Sequence, residues 1–162
     1  MSTLVMKHYK ISTLYQATFF LILILFTLNI SANETSGKTK IKIQGERADN
    51  IGKRISIQQI EALGITEIKA YNPYEKKTDL YTGVWVDKFV QRFAKPEIKQ
   101  MTLTAIDNYK IDYYPQEWNN IRILMATRVN GKYIGYAKKG PMRIVFPEYD
   151  ASKKIYQDTM PK

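Results

Sequence analysis

The stretch "KKGPMRIVFP", Lys138–Pro147, decides how the chain is read. Two lysines and a Gly-Pro pair interrupt the backbone. An apolar run then follows, Met142, Ile144, Val145 and Phe146, with Arg143 set inside it and Pro147 closing it. The pattern predicts a last strand over Met142–Phe146 behind a tight corner. In a strand, Arg143 and Val145 share one face, and Met142, Ile144 and Phe146 share the other. Arg143 is then either an anchor for phosphate or carboxylate beside Gly140, or a strut that pairs with a carboxylate such as Glu148 or Asp107. An arginine on the less buried face needs no ligand to explain it, so the strut is preferred.

Upstream, hairpin signals dominate. "IRILMATRV" and "KYIGYA" flank Asn130-Gly131, the strongest short hairpin signal in the chain. "IKQMTLTAI" (Ile98–Ile106) and "KIDYY" (Lys110–Tyr114) flank a turn of Asp107, Asn108 and Tyr109. Pro115 opens a single helical turn, "PQEWNN". "VWVDKFVQRFA" places Val86, Phe89, Val90 and Phe93 at helical spacing, giving an amphipathic helix over Trp85–Ala94 that stops before Pro96.

Nearer the start, "SIQQIEALG" (Ser56–Gly64) has a capping box of Ser56 with Gln59 and a glycine stop. Period-two alternation predicts strands at Lys40–Gly45 and Ile65–Tyr71. "ERADNIGKR" (Glu46–Arg54) and "NPYEKKTDL" (Asn72–Leu80) read as loops. The sum is an α+β domain, mostly β, with two or three short helices.

The first 32 residues belong outside that domain. Lys7, His8 and Lys10 precede the apolar block "FFLILILFTL", Phe19–Leu28. This block is about half of the roughly 20 apolar residues that span a bilayer. It reads as the core of a secretory signal peptide, residues 1–32, cleaved after Ala32, with an uncleaved anchor as the alternative. Residues 33–39 are a flexible polar lead-in, 40–149 the domain, and 150–162 a polar tail. The expected location is periplasmic or secreted.

Without the two leader lysines, 23 Lys and Arg stand against 15 acidic residues, a net charge of +8. The balance favours anionic partners, and export argues against nucleic acid. The chain has no cysteine and its one histidine, His8, lies in the leader. A mature domain so composed has no thiolate or imidazole metal ligand, no Ser-His or Cys-His nucleophile and no histidine base.

The order of these phrases resembles the molybdopterin-binding domain of the sulfite oxidase type, in a short, exported, stand-alone form. "YTGVWVDKFV", "IDNYKIDYYPQEW", "ILMATRVNGKYI" and "GPMRIVFP" carry the resemblance, which spans about Lys40–Pro147. It implies that fold, a molybdopterin cofactor if the family activity is retained, and oxidoreductase chemistry. In that family a cysteine sulfur, located between the early strand and the aromatic-x-Gly-Val helix, ligates molybdenum, and here Tyr71 or Asn72 falls about at that place. Neither offers a soft sulfur donor. The expectation is a non-catalytic module without cofactor that binds a small anionic ligand or a periplasmic partner protein. A working molybdopterin oxidoreductase with a redox partner, and a basic adaptor for anionic envelope surfaces, are the alternatives.

Candidate ligand residues are Arg143 and Gly140 at the corner, Tyr71 and Asn72 at the cysteine position, Asp107 and Tyr109 as a pocket rim, and Trp118. Turn chemistry is the stronger reading of Asp107 and Tyr109. Core packing is the stronger reading of Tyr113, Tyr114 and Trp118. Lys76, Lys77, Lys138 and Lys139 form a positive rim if their two loops meet, and otherwise a solvated surface. Glu75 and Asp79, read as members of a charged loop without apolar neighbours, make poor general acids.

Overall fold

A computed structural model describes residues 35–72, 75–150 and 152–154. The expected leader, its cleavage site and most of the polar tail lie outside the described residues. Among these residues nine strands run in chain order: β1 (Lys40–Lys42), β2 (Arg54–Ser56), β3 (Thr66–Asn72), β4 (Lys77–Trp85), β5 (Met101–Thr104), β6 (Lys110–Tyr113), β7 (Leu124–Val129), β8 (Lys132–Tyr133) and β9 (Arg143–Val145). Three helices join them: α1 (Ile57–Glu61), α2 (Val86–Phe93) and α3 (Pro115–Asn120). The class is α+β and mostly β.

Two expected loops differ from the structure. Arg54 belongs to β2, which pairs with β1 through Ile41 and Ile55. Lys77–Leu80 is the first part of β4 and pairs with β3 residue by residue, Asn72 opposite Lys77 and Ala70 opposite Asp79. Conversely, the expected strand "KYIGYA" stops at Tyr133, and Tyr136–Lys138 forms a 3-10 turn that leads into Gly140 and Pro141.

The main sheet has the order β3-β4-β7-β8, and β9 lies along the same edge of β7 as β8. β7 is therefore central. Leu124, Met125, Ala126 and Thr127 are all buried, as expected of a strand covered on both faces. Met125 packs into the larger core with Ile57, Ile60, Val86, Phe89, Phe93, Tyr113 and Trp118. Leu124 and Ala126 face a smaller core with Ala70, Tyr81, Ile134 and Val145. β9 splits as its alternation predicts: Met142, Ile144 and Phe146 go with the larger core and Val145 with the smaller.

The helix signals hold in detail. Ser56 and Gln59 form the capping box of α1. The lead-in is tied to the same helix, since Gln58 N donates to Gly37 O and Ile57 N to Thr39 O, both at 2.8 Å. These bonds satisfy donors that a helix start leaves open. α2 buries Val86, Phe89 and Phe93 and exposes Asp87, Lys88, Gln91 and Arg92.

One irregularity shapes the sheet. Thr82 pairs with Arg128 but Gly83 pairs with Ala126, so Thr127 is an extra residue in β7, a β-bulge. The bulged backbone presses on β4, and a Cβ at Gly83 would collide with Met125 O and Ala126 Cα. No side chain fits there. Gly83→Ala is expected to lower stability by about 2–3 kcal/mol, read as a lower midpoint in urea unfolding. A variant as stable as wild type would show that the sheet relaxes at no cost.

Candidate functional site

The curved end of the β3–β4 ribbon brings charged residues together. Tyr81 is opposite Val129, and Arg143 is opposite Ala126, three residues back along β7. A straight ribbon rises about 3.3 Å per residue and would carry Glu75 far from Arg143. Yet Arg143 Nη1 lies 3.7 Å from Glu75 Oε1. The ribbon therefore bends back across the face that carries Ala126 and Val145. Ile68, Ala70 and Tyr81 line its inner side near the core, and Asn72, Lys77 and Asp79 continue that side at its tip.

Polar contacts fill the tip. Lys77 Nζ lies 2.7 Å from Glu75 Oε2 and 3.7 Å from Asp79 Oδ1. Asn130 Nδ2 donates to Asp79 Oδ1 at 2.9 Å, and Leu80 N donates to Asn130 Oδ1 at 3.0 Å. Asn130 and Gly131 both have positive φ, 50° and 77°, which is the hairpin geometry the Asn-Gly pair predicts. The asparagine thus makes the turn and also holds β4 beyond the end of its pairing with β7. Glu75 N donates to Asn72 Oδ1 at 3.3 Å. The Lys77 ammonium, through a hydrogen bond and its charge, with Arg143 beyond it, holds the Glu75 carboxyl below its ordinary range.

Arg143 is fixed from its other side as well. Its Nη2 donates to Lys138 O at 3.1 Å. The expected partners Glu148 and Asp107 are thus replaced by Glu75 and the Lys138 carbonyl. Asp107 instead accepts from Tyr109 N at 3.1 Å, in the turn role read from the sequence. The loops around Lys77 and Lys138 do meet at Arg143, although Lys77 is engaged by Glu75 and Asp79. Asp79 also corrects the loop reading: it is a strand residue, only 5% exposed, and its Oδ2 has no hydrogen-bond partner among the described residues.

The other candidates are dispersed. Gly140 sits against Ile134, whose carbonyl leaves no room for a Cβ. It shapes the corner that supports Arg143. Tyr71 is 61% exposed while Asn72 beside it is buried. Asp107 and Tyr109 lie at the turn of the separate β5–β6 ribbon. Trp118 and Tyr113 are in the larger core, whereas Tyr114 is exposed. Arg143, Gly140 and Asn72 are therefore brought to one end, and Asp107, Tyr109 and Trp118 stand elsewhere in the topology.

A second polar cluster escaped the sequence reading. Thr127 Oγ1 donates to Glu61 Oε1 at 2.6 Å. Arg128 donates to the same carboxylate through Nε at 3.0 Å and Nη2 at 2.7 Å. Neighbouring side chains on a strand point to opposite faces, so the bulge is what lets Thr127 and Arg128 reach one acceptor. Tyr133 completes the cluster, accepting from Arg128 at 2.9 Å and donating to Glu61 at 3.2 Å, with Arg128 over its ring at 4.4 Å. The partners of Glu61 lie 66 to 72 positions away, and only the glycine opposite the bulge hints at their meeting.

Among the described residues no three His, Cys, Asp or Glu side chains converge as a metal-ligand set. At the place where the resemblance puts a molybdenum thiolate, the Tyr71 phenol faces solvent and Asn72 Oδ1 accepts from Glu75 N. These donors do not fit molybdenum. The chain matches no protein-family model and no curated protein.

Two measurements test this account. Burial pushes the Glu61 carboxyl up, but the bonds from Arg128, Thr127 and Tyr133 and the Arg128 charge outweigh it, holding the group below its ordinary range. A lowered folded-state pKa adds stability above the ordinary carboxylate pKa, and this is lost as pH falls through the folded value. Glu61→Gln is expected to cost about 2–3 kcal/mol at pH 7, and its deficit relative to wild type should shrink below about pH 4 in urea unfolding. The Tyr113 hydroxyl is buried without a hydrogen-bond partner among the described residues, and burial drives its pKa up. Tyr113→Phe should therefore keep stability or raise it by about 1 kcal/mol, whereas a loss above that size would reveal a partner for the hydroxyl.

Proposed function

We propose that the chain is an exported, non-catalytic module with a sulfite oxidase-like fold that binds a small anion, carboxylate or phosphate, between Arg143 and Lys77. One observation carries the reading: the Glu75 carboxylate lies between these two cations, 3.7 Å from Arg143 Nη1 and 2.7 Å from Lys77 Nζ. The pair is thus already arranged around a carboxylate, and Glu75 acts as its internal occupant. An exposed ion pair of this kind holds little net energy, so an outside anion can displace it. Arg143 is preset by Lys138 O, which leaves its guanidinium oriented when Glu75 departs. The fold part of the reading rests on the resemblance. It is supported by the order of the elements from the Gly83–Trp85 phrase and α2 to the Gly140–Pro141 corner and β9.

Thermal unfolding in phosphate, sulfate and malonate tests the site. An anion at ten times its Kd adds about 1.4 kcal/mol, a rise of roughly 3–6 °C for a domain of this size. Glu75→Gln is expected to respond at lower anion concentration than wild type, and Arg143→Gln to lose the response. If Arg143→Gln is merely less stable while all three proteins respond alike, Arg143 is a strut and the reading fails.

A further inference from the structure

The β1–β2 ribbon has two chemically opposite faces. Ile41 and Ile55 pair across it and pack on the core. The alternate pairs, Lys40 with Ser56 and Lys42 with Arg54, put three exposed cations on the outer face. Lys38 and Lys53, also exposed, flank these cations in the chain, Lys53 being held opposite Ile43 and so on the alternation of the core side. No acidic residue occurs in residues 37–45 or 50–60. Among the described residues none of the five cations enters an ion pair. Lys42 directly opposite Arg54 is a repulsive pair that weakens the ribbon, so stability does not account for it.

The layout narrows the partner. The face is a two-stranded surface with its charges about 5 Å apart across strands and about 7 Å along them. It has no aromatic residue on which bases could stack. Point-charge lysines on such a surface suit a plane of anionic headgroups rather than one forked ligand. In the sequence, eleven residues separate Leu28, the end of the apolar block, from Lys40. That is at most about 40 Å of fully extended chain.

We propose that the outer face of the β1–β2 ribbon, Lys40, Lys42 and Arg54, docks on anionic lipid headgroups. It uses none of the residues of the Arg143–Lys77 site, so either proposal can fail alone.

The test is co-sedimentation of the full chain with phosphatidylcholine vesicles, with and without phosphatidylglycerol. The apolar block contributes to both, so the readout is the increment due to phosphatidylglycerol. Each ribbon cation is worth about a fivefold change in partition. The Lys40→Gln/Lys42→Gln/Arg54→Gln variant should therefore lose about a hundredfold, with its melting transition retained. Lys99→Gln/Lys110→Gln/Lys132→Gln, with equal charge removed elsewhere, should lose less than tenfold. Lys40→Arg/Lys42→Arg should keep the increment, and salt should screen it. Equal losses in the two triple variants would mean bulk charge alone and would overturn the proposal, as would no increment in wild type at low salt. Tighter, ribbon-dependent binding to soluble dextran sulfate than to the charged vesicles would overturn it in favour of an acidic polymer.

Discussion

The Glu61 carboxylate, gripped at once by Thr127 and Arg128, is the contact on which the arrangement of the domain depends. It joins the end of the first helix to the central strand, and only the bulge makes it possible. Without the extra residue, Thr127 and Arg128 would point to opposite faces and one of them would miss. The same bulge drives the β7 backbone against Gly83. Past it β4 stays paired with β7 only through Thr82 and Tyr81 before it leaves to bend over the smaller core. The part-buried Glu61 carboxylate leans most on Arg128, because loss of that residue alone leaves its charge without a countercharge.

From that bend follows the tip. The inner side of the β3–β4 ribbon is apolar while it covers Leu124 and Ala126 and turns polar where it passes them, at Asn72, Lys77 and Asp79. Arg143 meets it there because β9 is placed by Gly140, which fits against the Ile134 backbone as no larger residue could. Two glycines, one opposite the bulge and one at the corner, thus fix the two halves of one charged cluster.

Much of this was legible in local words. The Ser56–Gln59 box, the Asn130-Gly131 turn, the Asx turn at Asp107 and the spacing of α2 each state a conformation within a few residues, and each is found. The split of β9 between two cores was also readable from alternation. The first half of β4 was not, because Lys77, Thr78 and Asp79 have the composition of a loop; what makes them a strand is pairing with β3 and a polar cluster on the inner side. β2 is three residues long and too short to show a period. The partners of Arg143 and Glu61 lie 66 or more positions away in most cases, and nothing in a local window encodes such distances. The resemblance groups Asp107, Tyr109 and Trp118 with Arg143, which the separate β5–β6 ribbon and the larger core undo.

The double coverage of β7 has a dynamic meaning. Leu124–Thr127 belongs to both cores, with Met125 on one side and Leu124 and Ala126 on the other. Opening either core removes half the walls around that strand and exposes backbone that β4 and β9 both hold. The two cores are therefore not separate cooperative units. The amides of the central strand are expected to exchange with water only when the whole domain unfolds.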